Sequence, residues 1–277
     1  MQRPKSMDLY SSKNNVSAAE VSLESLKGPN MSTVNPVPTN YMPADAADED
    51  FIDELSLILL EGVHQKSSKQ VENALERLAD LCSQCEATCR EACQMGAPSS
   101  ALAIMRKWKS SKTVQVRGLR VLVALTICSN CTKIRKTLWM IGAMEAVLEE
   151  MQSFLDSRAV QFFGCSAILS LLPCSSGDVK DEKLTIRMGR RFVGEMNGIK
   201  SVITGMIRFE NDREIQETGC HILLKLATFM NAGNDRKMLL KSGAVSAFSV
   251  ALESNSNDEE IQIYATLFMN LLSSDFI

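Results

Sequence analysis

The sequence predicts an all-α fold built as an elongated stack of helical repeats, and three observations carry that expectation. Five glutamines, Gln70, Gln115, Gln161, Gln216 and Gln262, recur at intervals mostly close to 45 residues, and each opens a strongly apolar segment. In the last four units Val114, Val160, Ile215 or Ile261 precedes the glutamine, and Gly96, Gly142, Gly198 or Gly243 lies 18 or 19 residues upstream. The third observation is compositional: with 5% aromatic residues and few glycines and prolines, helix is favoured over sheet. A fixed period of this length marks a quasi-one-dimensional architecture, in which each unit buries its apolar face against its neighbours.

Residues 1–49 are rich in Ser, Asn, Pro and Ala, lack apolar periodicity and end in the acidic run Ala44 to Asp50, so a disordered tail is expected there. The repeat domain is expected over 50–277. It begins with a helix at Phe51 to Leu60, whose preceding carboxylates suit a helix N-terminus. Within each full unit three helices are read in order. The first is short and stops at the glycine, as in Asn234 to Gly243. The second follows at once and carries apolar residues at matching positions nine residues after the glycine, namely Met105, Met151, Ile207 and Leu252, with Leu60 in the same register.

A polar turn such as Leu155-Asp156-Ser157-Arg158 then caps the third helix. Counted from the glutamine, that helix has apolar or small residues at −1, +3, +4, +7 and +10, the stripe that faces a core. In one unit these are Val160, Gly164, Cys165, Ile168 and Leu171, and in the next Ile215, Gly219, Cys220, Leu223 and Leu226. A glycine in a helix interior costs about 1 kcal/mol relative to alanine. Its recurrence at +3, in Gly118, Gly164 and Gly219, implies close approach by a neighbouring helix.

The run Asp235 to Val245, with Asp258-Glu259-Glu260-Ile261-Gln262 and the parallel runs Ile141-Gly142-Ala143-Met144 and Ala159-Val160-Gln161, resembles the armadillo repeats of the catenin and karyopherin-α families. The resemblance spans 51–277 and implies a right-handed α-solenoid of about five repeats, whose third helices line a concave groove that holds another protein's extended segment. HEAT repeats, with two helices per unit, are the nearest structural alternative. Karyopherin-α grooves clamp a basic peptide with a Trp and an Asn four residues apart. Here the matching +5 and +9 positions are Leu75 and Ala79, Arg120 and Ala124, Ser166 and Ser170, His221 and Lys225, Leu267 and Leu271, so that clamp is missing. The +2, +5 and +9 positions place Arg117, Arg120, Phe163, His221, Lys225 and Tyr264 on one strip, apolar in the middle and basic on either side. Such a strip is expected to take an acidic or phosphorylated segment.

Other chemistry has less support. Cys82-Ser83-Gln84-Cys85 and Cys128-Ser129-Asn130-Cys131 have zinc-like spacing, but Cys82, Cys128 and Cys174 recur 12 or 13 residues after their glutamines, where small apolar side chains pack a helix end. No metal or cofactor is expected. His64 and His221 neighbour no nucleophile motif, phosphate-binding loops and hydrolase signatures are absent, and no catalytic residue is expected. The odd count of nine cysteines in apolar segments points to reduced thiols and a cytoplasmic or nuclear location. A net charge near −3 gives no global drive toward nucleic acid, and no apolar run is long enough to insert in a membrane.

Basic clusters fall at Arg106 to Lys109 and Arg187 to Arg191, the second beside the Pro173 to Lys183 segment that lengthens one repeat. The functional expectation is a non-enzymatic scaffold or adaptor that binds another protein. The alternative is an assembly subunit that associates with itself through the C-terminal repeat, where Tyr264, Phe268, Leu271, Leu272, Phe276 and Ile277 are followed by no polar cap.

Overall fold

The computed structural model describes residues 67–84, 86–127, 132–173, 182–229 and 234–273. The expected tail over 1–49, the helix at 51–60, Cys85, Cys128, Cys131, the segment 174–181 and the final residues 274–277 lie outside the described residues. Among the described residues every regular element is a helix. In chain order these are α1 (Ser68–Gln84), α2 (Glu86–Gln94), α3 (Ala97–Lys107), α4 (Lys112–Ile127), α5 (Thr132–Met140), α6 (Ala143–Ser153), α7 (Arg158–Leu171), α8 (Glu182–Arg190, continued by a π turn at Arg191–Glu195), α9 (Gly198–Arg208), α10 (Arg213–Phe229), α11 (Asn234–Lys241), α12 (Ala244–Ser254) and α13 (Glu259–Ser273).

The third helices α1, α4, α7, α10 and α13 start two or three residues before their glutamines, and each packs on the next; α3, α6, α9 and α12 form a parallel ladder of second helices. The right-handed solenoid is thus two helix ladders with the short first helices α2, α5, α8 and α11 along one edge. Its core runs down the inner faces of the third helices. Val114, Leu119, Leu122 and Leu125, then Val160, Cys165, Ile168 and Leu171, then Ile215, Cys220, Leu223 and Leu226 are all completely buried. Full burial of one such side chain is worth about 1.5–3 kcal/mol, so the continuous stripe dominates the stability.

A single left-handed residue turns each first helix into the second. Gly96, Gly142 and Gly243 have φ of 90°, 84° and 89°. In the fourth repeat the turn residue is Asn197, with φ 54°, and not Gly198. This corrects the expected register: measured from the left-handed residue, every glutamine from Gln115 to Gln262 lies 19 residues downstream. Gly198 instead opens α9, where a β-carbon would come within 2.2 Å of the Phe192 ring. The one-residue shift also corrects the expected apolar position. Met206 is buried, whereas Ile207 is 60% exposed.

Gln115, Gln161 and Gln216 are buried, and each Nε2 donates to two carbonyls at the end of the preceding second helix. Gln161 reaches Met151 at 2.7 Å and Phe154 at 3.2 Å, Gln115 reaches Met105 and Trp108, and Gln216 reaches Met206 and Phe209. Helix ends leave such carbonyls without intrahelical donors, so the recurrent glutamine is a side-chain cap. Gln70 and Gln262 are exposed, and Gln262 donates to the Ser256 carbonyl instead. The recurrent +3 glycines accept the methionine of the second helix: a β-carbon on Gly118, Gly164 or Gly219 would lie 2.4–2.6 Å from side-chain atoms of Met105, Met151 or Met206.

Charged groups set the last repeats against one another. Arg158 pairs with Asp212 and Glu214, and Arg213 pairs with Asp258 and Glu260 at the same positions one repeat later. Asp212 and Asp258 also accept backbone N–H bonds from the first turn of α10 and α13, so one carboxylate both caps a helix and docks its neighbour.

Candidate functional site

The six residues of the expected strip lie on α4, α7, α10 and α13, but their side chains are more engaged than their spacing suggests. Arg117 pairs with Glu76 at 2.7 Å and with Glu72 at 3.7 Å, and Arg120 pairs with Glu76 at 2.9 Å and Asp80 at 3.2 Å. Both guanidinium groups therefore meet on Glu76 of the preceding third helix, and at the N-terminal end of the strip three carboxylates face two cations. On α1 the expected groove positions Leu75 and Ala79 are buried, while Glu72, Glu76 and Asp80 occupy the face turned to the arginines.

Phe163 is half-buried on α7, with its ring edge-on to Phe162 at 5.0 Å. The Lys225 ammonium donates to the Leu169 carbonyl at 2.9 Å, bridging α10 to α7. His221 is 7% exposed, and its ring stacks on Tyr264 with centroids 5.0 Å apart and planes 24° from parallel. Burial, reinforced by the Lys225 charge, lowers the imidazole to about 4, so it is neutral at physiological pH. Its Nδ1 has no hydrogen-bond partner among the described residues.

Arg213 and Glu217, which the sequence reading missed, complete this surface. Arg213, Glu217, His221 and Lys225 follow one another at steps of four and form a stripe along α10. Glu217 is buried, shares a hydrogen bond with Glu260 and contacts Arg213 at 3.3 Å. Burial, then the Glu260 hydrogen bond and charge, push its carboxyl up to about 7. Burial and the same carboxylates raise the Tyr264 phenol. The signal for these residues was present in the spacing of four, as it was for Glu72, Glu76 and Asp80 on α1.

Several thiols of the described residues are packed into the core. Cys82 and Cys89 belong to the first core cluster, and the Cys89 Sγ lies 3.4 Å from the Leu125 carbonyl. Burial pushes the Cys165 thiol up to about 12 and raises Cys220 as well. Among the described residues no group of three or more His, Cys, Asp or Glu is placed to hold a metal ion, and no helix is long and apolar enough to cross a membrane.

No protein-family model matches the chain, and no curated protein matches it in sequence. Solved structures do match in shape. An engineered protein superposes with a TM-score of 0.60 at 17% identity, over 81% of this chain and 90% of that one. A designed armadillo repeat protein, solved in complex with the peptide (KR)4, superposes with a TM-score of 0.60 at 16% identity, over 79% of this chain and 81% of that one. A second engineered protein gives 0.61 at 16% identity, over 79% of this chain and 47% of the other. Likeness at this identity speaks to architecture, and the architecture is an armadillo-type right-handed α-solenoid.

Proposed function

We propose that this protein is a non-catalytic intracellular scaffold whose concave face holds an extended segment of another protein. The observation that carries the reading is the set of partly exposed side chains on three of the third helices, Arg120 on α4, Phe163 on α7 and Tyr264 on α13, within a solenoid of the kind that binds a peptide in a designed protein of similar fold. Phe163 and Tyr264 offer flat apolar contact. Arg120 offers a bidentate fork, and its present partners Glu76 and Asp80 have side chains 40% and 53% exposed. Exposed ion pairs are worth no more than about 1 kcal/mol, so a carboxylate or phosphate of the bound segment can take their place at small cost. The neutral, stacked His221 and the raised thiols at Cys165 and Cys220 favour a binding role over an enzymatic one. The free thiols of Cys165 and Cys220 fit a reducing compartment, the cytosol or nucleus.

The test is capture of partners from a cell extract by residues 50–277, repeated with Arg120→Glu and Phe163→Ala combined. Loss of the principal partner with unchanged helicity and melting supports the concave face, and undiminished capture removes it. The assembly reading rests on Ile263 and Met269 of α13, which are 53% and 48% exposed. A concentration-dependent dimer in sedimentation, abolished by Ile263→Glu, would favour it instead.

A further inference from the structure

The first helices carry a column of cations that the groove does not use. Six residues ahead of each left-handed turn residue stands Arg90, Lys136, Arg191 or Lys237, one in each of four successive repeats. All four side chains are exposed. In the last three repeats an arginine also precedes it, at Arg135, Arg190 and Arg236. Although the chain as a whole is acidic, α5 bears three cations and no carboxylate, and α11 bears three cations and one carboxylate. In the lengthened fourth repeat the same count of six runs through a π turn at Arg191–Glu195. Arg90 pairs with Glu86 at 3.2 Å, and Arg191 with Glu145 at 2.5 Å and Glu195 at 3.7 Å, all through exposed side chains. The line of charge is therefore weakest at α2, which bears two carboxylates and one cation, and strongest over α5 and α11.

We propose that this edge, made by α2, α5, α8 and α11, is a second interaction surface that binds an extended acidic protein segment, rich in Asp and Glu or phosphorylated. Charge complementarity names the ligand's sign, and geometry names its form. Successive repeats stack at about 10 Å, the spacing of packed helices, and an extended chain advances about 3.3–3.6 Å per residue. An acidic group at every third residue therefore keeps step with the column. Met140 and Leu240, 79% and 42% exposed on α5 and α11, give aliphatic contact beside the cations. A nucleic acid is disfavoured because the aromatic rings of this edge, Trp139 and Phe192, are 6% and 0% exposed and offer no face for base stacking. A flat anionic membrane is disfavoured because the solenoid twist rotates each repeat relative to the last, so one plane cannot meet all four cations.

The surface is independent of the concave-face reading, and its test separates the two. The full chain is titrated by fluorescence anisotropy with a labelled peptide carrying glutamate at every third position, and with the matching lysine peptide. The same titration is made with single-stranded RNA and with vesicles of phosphatidylcholine and phosphatidylserine. The glutamate peptide is expected to bind, to weaken as salt is raised, and to lose about tenfold or more in affinity in Lys136→Glu/Arg191→Glu/Lys237→Glu. Lys200→Glu, an exposed position on the second helix α9, should leave that affinity unchanged, whereas a loss found in Arg120→Glu and not in the edge variant would assign the peptide to the groove and overturn the proposal. If the triple variant melts below the wild type, the single Lys237→Glu carries the comparison, with a smaller loss expected. Failure of the glutamate peptide to bind, equal binding by the variants, or tighter binding of RNA or vesicles than of the peptide would overturn the proposal.

Discussion

The Cγ of Met151 lies 2.5 Å from where a β-carbon on Gly164 would sit. The same pairing joins Met105 to Gly118 and Met206 to Gly219, so each second helix rests on its third through a methionine laid across a bare backbone. In α13 the position is Ala265, which is 3% exposed.

Gly164→Ala should therefore destabilise the protein even though alanine is the better helix former by about 1 kcal/mol. Displacing Met151 from a close-packed contact costs about 1–3 kcal/mol, and Gly164→Leu should cost more. Urea denaturation of Gly164→Ala, Met151→Ala and the double variant would measure the coupling. The double variant should lose less than the sum of the singles by more than about 0.5 kcal/mol, and strict additivity would mean that the two residues do not share the space.

The buried glutamines make a sharper comparison. Gln161→Ala removes the donor that serves the Met151 and Phe154 carbonyls and should cost about 1–3 kcal/mol. Gln262→Ala changes an exposed side chain and should stay within about 0.5 kcal/mol. Equal effects on the melting temperature would sink the capping role.

The repeat was legible because its markers are backbone requirements: a left-handed turn, a helix-end cap and a glycine under a methionine. The register slipped by one only in the fourth unit, where Gly198 masks the true turn residue Asn197 and sends Ile207 to solvent. The groove was less legible, since its partners are distant in sequence. Arg120 meets carboxylates 40 and 44 residues earlier on α1. Helical spacing puts His221 on the outward face, yet α13 lays Tyr264 over it, and spacing within one helix cannot reveal what the next repeat covers.

Asn197 offers a direct check of the corrected register. A residue with a β-carbon pays about 1–2 kcal/mol in the left-handed region, and asparagine is among the few tolerated there. Asn197→Gly should preserve or slightly raise the melting temperature, while Asn197→Val should lower it. Gly198→Ala should also destabilise, for the different reason that it strikes the Phe192 ring. If valine is tolerated at 197, the turn lies elsewhere.

The dependence of stability on pH follows from three buried groups whose signs differ. Glu217 and Glu150 are raised from 4.5 to about 7, each chiefly by burial, Glu217 with Glu260 beside it and Glu150 with Glu149. Because the native state holds their protons more tightly, their contribution is full below 4.5 and is lost as pH rises through 7. His221 is lowered from 6.5 to about 4, so its contribution is full above 6.5 and is lost as pH falls through 4. Between 4.5 and 6.5 the groups oppose one another, two carboxyls against one imidazole, and above 6.5 only the carboxyls act. Stability from these three groups should thus fall from mildly acidic to mildly alkaline pH. Glu217→Gln keeps a neutral hydrogen-bonding side chain beside Glu260. It should melt close to the wild type at pH 4.5 but above it at pH 8, by about 2–4 °C for each kcal/mol of relieved charge. His221→Phe keeps a flat ring against Tyr264 without a titrating group and should flatten the acid limb alone. A Glu217→Gln variant whose melting follows the wild-type pH profile throughout would show that Glu217 is already ionised in the native seam between α10 and α13.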